Sequence, residues 1–271
     1  ETDVTIDNNS ATGSTISTGY AGTLNQAVTV NNIASATSLT VAKVGTATST
    51  MSVALDGAGA TTDTATVTAS GVVALETAGA QQVEVLTLQT NGAAATFNLN
   101  AVADQPLSTT FAGDQSITMS MLQAQAVGHT TGIIDSTTAG TTTVQITDAG
   151  DTGDYSKIAA DVIEFQVDTT GTNVLTMKDG ATISFTTEAD HNTAFTVDVS
   201  DGATTHTSAG TLTMNVTTPM TGVVTVDATA SSDNIATLNV ALTSAQAALD
   251  IRGGTATTVK LTGAVTATVA A

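Results

Sequence analysis

Cysteine is absent from the 271 residues. Its absence excludes disulfides, thiolate zinc sites and cysteine nucleophiles together. Tryptophan is absent too, proline occurs twice, and five Phe with two Tyr are the only rings. A core of this size normally leans on large rings for buried area, so aliphatic residues must fill thin, repetitive layers instead. Basic residues number five against 24 acidic ones, a net charge of −19. Such a surface repels phosphate backbones and anionic lipid, so neither nucleic acid nor membrane is expected as a partner. No apolar run approaches the roughly 18 residues of a membrane-spanning helix. Glu1-Thr2-Asp3-Val4 carries neither a basic region nor an apolar stretch, so no signal peptide is expected there.

What remains is dominated by β-formers. Threonine makes up about a fifth of the chain, far above ordinary usage, and Thr and Val, both β-branched, favour strands. Low charge density and a hydrophobic fraction of 41 % argue against disorder. Apolar and polar residues alternate throughout, as in Val83-Glu84-Val85-Leu86-Thr87-Leu88, Thr143-Val144-Gln145-Ile146, Ile163-Glu164-Phe165-Gln166-Val167 and Leu212-Thr213-Met214-Asn215-Val216. That period places one face inward and one outward on short half-buried strands. Asp56-Gly57, Asn91-Gly92, Asp179-Gly180, Asp201-Gly202 and Gly253-Gly254 are turn signals. Asn91-Gly92 and Asp179-Gly180 suit tight turns between flanking strands. Helix is expected only over Ser120–Val127, Ser244–Leu249 and Tyr155–Ala160, the last capped by Asp154 or Ser156.

Paired strands recur. Val83–Leu88 is followed by Phe97-Asn98-Leu99, Val162–Val167 by Val174–Met177, and Ile235–Val240 by Ala248–Ile251. Strand pairs joined by small-residue loops suit an all-β, irregular parallel β-solenoid. Tandem antiparallel β-sandwiches are the alternative. A seam at Ala78-Gly79 divides an N-terminal β-rich segment, 1–80, from a solenoid-like body, 81–271.

The acidic residues invite calcium, which takes oxygen ligands in flexible geometry. Asp148, Asp151 and Asp154 stand at intervals of three, with Gly150 and Gly153 between them, and form either a calcium loop or a solvated acidic turn. Asp179, Asp198 and Asp201, with Glu188 and Asp190, gather around later turns and would approach one another if coils stack. Asp56 with Asp63 is a lesser pair. His129, His191 and His206 belong to no nucleophile or zinc pattern, and with so few rings to hold a sugar, catalysis is not expected.

Val83–Leu88, Thr237-Leu238-Asn239-Val240 and Leu249-Asp250-Ile251-Arg252-Gly253-Gly254 with Thr258-Val259-Lys260-Leu261 resemble the bodies of bacterial surface-layer proteins. The kind meant is exported by type I secretion and related to the calcium-binding glycine-rich repeat (RTX) group. The resemblance implies an irregular β-solenoid, calcium-dependent order and self-assembly into a lattice outside the cell, so a secreted, cell-surface protein is expected, with cell-surface polysaccharide as a further partner and no enzymatic activity. A filament subunit, an adhesin stalk and a carbohydrate-binding module are the competing roles. The glycine-rich nonapeptide itself does not occur; Gly253-Gly254-Thr255-Ala256 is the nearest fragment, so any calcium sites are expected to be irregular.

Overall fold

The computed structural model describes residues 4–7, 15–20, 26–33, 37–43, 50–57, 63–77, 83–102, 106–149, 153–167, 171–186, 195–200, 210–216, 223–229, 235–242, 248–253, 258–263 and 267–270. The chain is an all-β parallel β-solenoid. It divides into two compact units, Glu1–Val144 and Gln145–Ala271. The Ala78-Gly79 seam lies outside the described residues.

In the first unit two columns of parallel strands are stacked. One holds β1 (Val4–Asp7), β3 (Gln26–Ile33), β5 (Thr50–Gly57), the later parts of β6 (Thr64–Thr77) and β7 (Val85–Ala101), and β9 (Ile117–Met121). The other holds β2 (Thr15–Tyr20), β4 (Thr37–Lys43), the early parts of β6 and β7, β8 (Ser108–Gly113) and β10 (Gly132–Thr137). β6 and β7 thus serve both columns, turning from one to the other near Gly71 and Gly92 (φ 77° and 71°). A left-handed backbone there suits glycine. The Asn91-Gly92 turn exists, but as a solenoid corner: β7 stays parallel to β6 on both sides of it, so no hairpin forms. The helix expected over Ser120–Val127 is α1 (Gln123–Gly128).

β11 (Thr142–Ala149) carries the chain into the second unit. One column there stacks β13 (Val162–Val167), β15 (Thr182–Thr186), β17 (Gly210–Val216), β19 (Ile235–Leu242) and β21 (Thr258–Thr262). The other stacks β12 (Gly153–Asp154), β14 (Gly171–Thr176), β16 (Phe195–Ser200), β18 (Val223–Ala228), β20 (Ala248–Gly253) and β22 (Ala267–Ala270). The chain visits the columns alternately, and β13 with β14 and β19 with β20 are strand pairs that the alternation marks. Every described pairing is parallel, which rules out the antiparallel sandwich. Coil length is uneven: the coil that brings Leu249 to Ala267 is much shorter than the one that brings Ile183 to Met214.

Two helical expectations are corrected. Tyr155–Ala160 is a single turn, closed by the Ile158 N–H donating to the Tyr155 carbonyl at 3.0 Å, and the cap-like bond from Ser156 N–H to Asp154 is not followed by a helix. Residues 248 and 249 begin β20, where Leu249 is the register partner of Val224; residues 243–247 lie outside the described residues.

The cores are ladders of equivalent positions. Val67, Leu88 and Phe111 are successive register partners with no exposed surface, as are Val73, Phe97 and Met119. In the second unit Ile183 stacks on Met214 and Met214 on Val240, while Phe165 pairs with Phe185. Burying each such side chain is worth about 1.5–3 kcal/mol. The scarce rings are concentrated here: Phe97, Phe111, Tyr155, Phe165 and Phe185 are all fully buried. Tyr155 meets Phe165 edge-on at 5.0 Å, and Phe165 stacks on Phe185 at 5.8 Å.

Candidate functional site

Parallel, in-register stacking turns a sequence pattern into columns of like residues about 4.8 Å apart. On β18 and β20 the buried residues Val226 and Ile251 are register partners. The next position along each strand faces outward, and there Asp227 is the partner of Arg252. On β16 the partner of Asp227 is Asp198, so the three fall in one register. Asp250, two residues before Arg252, lies on the same outward face. The guanidinium of Arg252 donates to Asp250 Oδ2 at 2.8 and 3.1 Å and lies 3.5 Å from Asp227 Oδ2. Asp227 Oδ1 accepts bonds from the Thr229 N–H at 3.0 Å and the Thr229 hydroxyl at 2.5 Å.

Three carboxylates thus share this face with one guanidinium. Partial burial, and then the charge of Asp227, hold the Asp198 carboxyl above the ordinary aspartate range. The repulsion between neighbouring rungs is on the order of 1 kcal/mol in water and larger where water is thinned.

The other acidic residues are placed differently. Asp179 sits exposed in the turn before β15, where its Oδ1 accepts the Thr211 N–H at 2.8 Å and Gly180 N–H donates to Thr211 C=O at 2.9 Å. This pins the turn to the following rung. Asp154, at the end of β12, is exposed, and its Oδ1 accepts the Ser156 N–H at 3.0 Å and the Ser156 hydroxyl at 2.6 Å. Asp148 lies on β11, while Asp151, Asp201, Glu188, Asp190, His191 and His206 lie outside the described residues. Asp56 lies on β5, and Asp63 is buried with its N–H donating to Glu84 Oε2 at 2.7 Å.

Asp135 was not singled out by the sequence. Burial would raise its carboxyl, but donations from the Thr137 N–H and the Thr142 and Thr137 hydroxyls outweigh it, so the carboxyl lies below the ordinary range. Those bonds (2.9, 2.7 and 2.7 Å) clasp the end of β10 to the start of β11.

Calcium takes six to eight oxygens. Among the described residues no three of His, Cys, Asp or Glu converge as a metal set. Asp154, Asp179 and Asp227 each already accept from N–H or O–H donors of the protein through one oxygen. The described residues therefore do not form a closed calcium cage. They form an open acidic face, drawn from Asp198, Asp227 and Asp250.

The class this fold defines is the parallel β-solenoid. Comparison with protein-family models, with curated proteins and with solved structures gave no match to this chain.

Proposed function

We propose that this chain is a structural, non-enzymatic protein of the cell exterior, a self-assembling subunit of a surface lattice related to the type I-secreted surface-layer proteins. The observation that carries the reading is the in-register Asp198–Asp227 ladder on a solenoid of net charge −19. A solenoid in which each rung pairs with its neighbours is a rigid module. Its acidic rungs repel a second copy until cations intervene, and calcium is the proposed ion, held at the surface and shared between copies. Such an ion needs only part of its oxygen shell from each molecule, in keeping with the open face. Interaction with cell-surface polysaccharide belongs to the same proposal, through the neutral Thr and Asn positions of the outward faces.

Electron microscopy of the purified protein with calcium and after chelation tests the reading. Ordered sheets or filaments that disperse on chelation are the expected result. Monomers at every calcium concentration would refute assembly and favour an adhesin stalk.

A further inference from the structure

His129 follows α1 and is 2 % exposed. Its Nδ1 lies 2.8 Å from the carbonyl oxygen of Gln125, and its Nε2 lies 3.0 Å from the hydroxyl of Thr109. A carbonyl can only accept, so the ring proton resides on Nδ1 and Nε2 accepts from the Thr109 hydroxyl. Thr109 itself has no exposed surface. The ring therefore joins the C-terminal end of α1 to β8. Gln125, on the same helix turn, completes the attachment: its Nε2 donates to the carbonyls of Leu99 and Val102 at 2.7 and 2.9 Å, while its Oε1 accepts the Leu122 N–H at 2.8 Å.

We infer that His129 is an acid-released latch: a proton added at Nε2 reverses the bond to the Thr109 hydroxyl, places a charge in a buried site and so weakens the hold of α1 on β8. Protonation makes both ring nitrogens donors. The Thr109 hydroxyl then loses the acceptor it had and must turn its hydrogen elsewhere inside a buried site, while a full charge enters that site. The carbonyl of Gln125 favours the cation, as a helix C-terminus does, but burial is the larger influence and lowers the pKa of the ring.

Among the described residues, α1, β7, β8 and β9 carry no titratable group; Glu84, just before β7, accepts the Asp63 N–H through Oε2, and Asp104 lies outside the described residues. Asp114 follows β8, and Asp135 on β10 bonds Thr137 and Thr142, while among the described residues the ring bonds only Gln125 and Thr109. The direction follows. A histidine whose folded-state pKa is lowered contributes stability fully above its unfolded value, near 6.5, and loses it as pH falls from there toward the folded value.

The test uses the intact chain. Nitrogen-detected NMR of the imidazoles reports tautomer and titration, and amide hydrogen exchange, corrected for intrinsic rates, reports the protection of Gln125 and Ala126, whose N–H groups bond to Leu122 C=O. The expected results are an Nδ1-protonated ring that titrates below 6.5, and protection at α1 that falls with acid by up to about tenfold per pH unit. In His129→Gln, which does not titrate, that pH dependence disappears. A ring that titrates at or above the ordinary value, or α1 protection that is unchanged across its titration in the wild-type chain, overturns the latch whether or not the variant folds.

Discussion

At the scale of single residues, the acidic ladder and the glycine corners give the sharpest expectations. Asp198 is a carboxylate whose pKa is raised by burial and by Asp227, so the folded state holds its proton more tightly than the unfolded chain does. Its charged form therefore weakens the second unit at neutral pH, and that penalty is relieved as pH falls through the raised value toward the unfolded one. Asp198→Asn is expected to melt higher than the parent at pH 7, with the difference shrinking towards pH 4; an equal gap at both pH values would remove Asp198 as its source. Gly140 makes the opposite case. Its φ is +89°, and a Cβ built there lies 2.5 Å from the backbone of Gln115 and Ser116. Gly140→Ala is expected to cost about 1–3 kcal/mol from the backbone conformation alone, more once the clash is relieved by movement, measured as a loss in denaturant midpoint. The ladder was hidden from sequence reasoning for a physical reason. The step along the chain from Asp198 to Asp227 differs from the step from Asp227 to Arg252, so no fixed period links them and only the fold aligns them. Asp179 and Asp154 were visible as turn acids, but only the bond of Asp154 to Ser156 is what such residues ordinarily do; Asp179 reaches Thr211 on the next rung, which no local pattern announces.

At the scale of elements, strand existence was legible because period two is written in the residues themselves: Ile163-Glu164-Phe165-Gln166-Val167 announces both β13 and its buried face. Strand direction was not. Alternation of this kind serves a half-buried antiparallel strand equally well, and parallel pairing emerges only from the crossovers, whose loops vary in length. The same limit applies to the core rings. Composition shows that rings are few, but nothing in the sequence says that Phe165 and Phe185 stack on consecutive rungs with Tyr155 against the first. A parallel ladder concentrates scarce rings at one level, where each removes surface from the other. Phe165→Ala therefore opens a cavity beside two further rings and is expected to cost about 3–5 kcal/mol, whereas Phe165→Leu costs much less because the volume is largely kept. Chemical denaturation of the two variants side by side checks the ranking; equal losses would show that lost ring contacts, and not lost volume, set the cost.

At the scale of the whole molecule, charge decides more than any single contact. A chain with 24 acidic and five basic residues repels itself at low salt, where the screening length is about 30 Å, and much less near physiological salt, where it is about 8 Å. Melting temperature is therefore expected to climb as sodium chloride is added, before any specific ion is considered. Calcium must be judged against that background. If ions bind the folded chain at the roughly 0.1–1 mM affinity of extracellular modules, then about 10 mM calcium adds about 1.4–2.7 kcal/mol beyond screening. Magnesium at the same ionic strength should add less, since it keeps its water and demands stricter geometry than an open carboxylate face offers. Thermal melts in sodium, magnesium and calcium chloride at matched ionic strength separate the two effects. If the three salts give coincident curves, the acidic rungs are merely screened, and calcium drops out of the assembly proposal even if sheets or filaments still form.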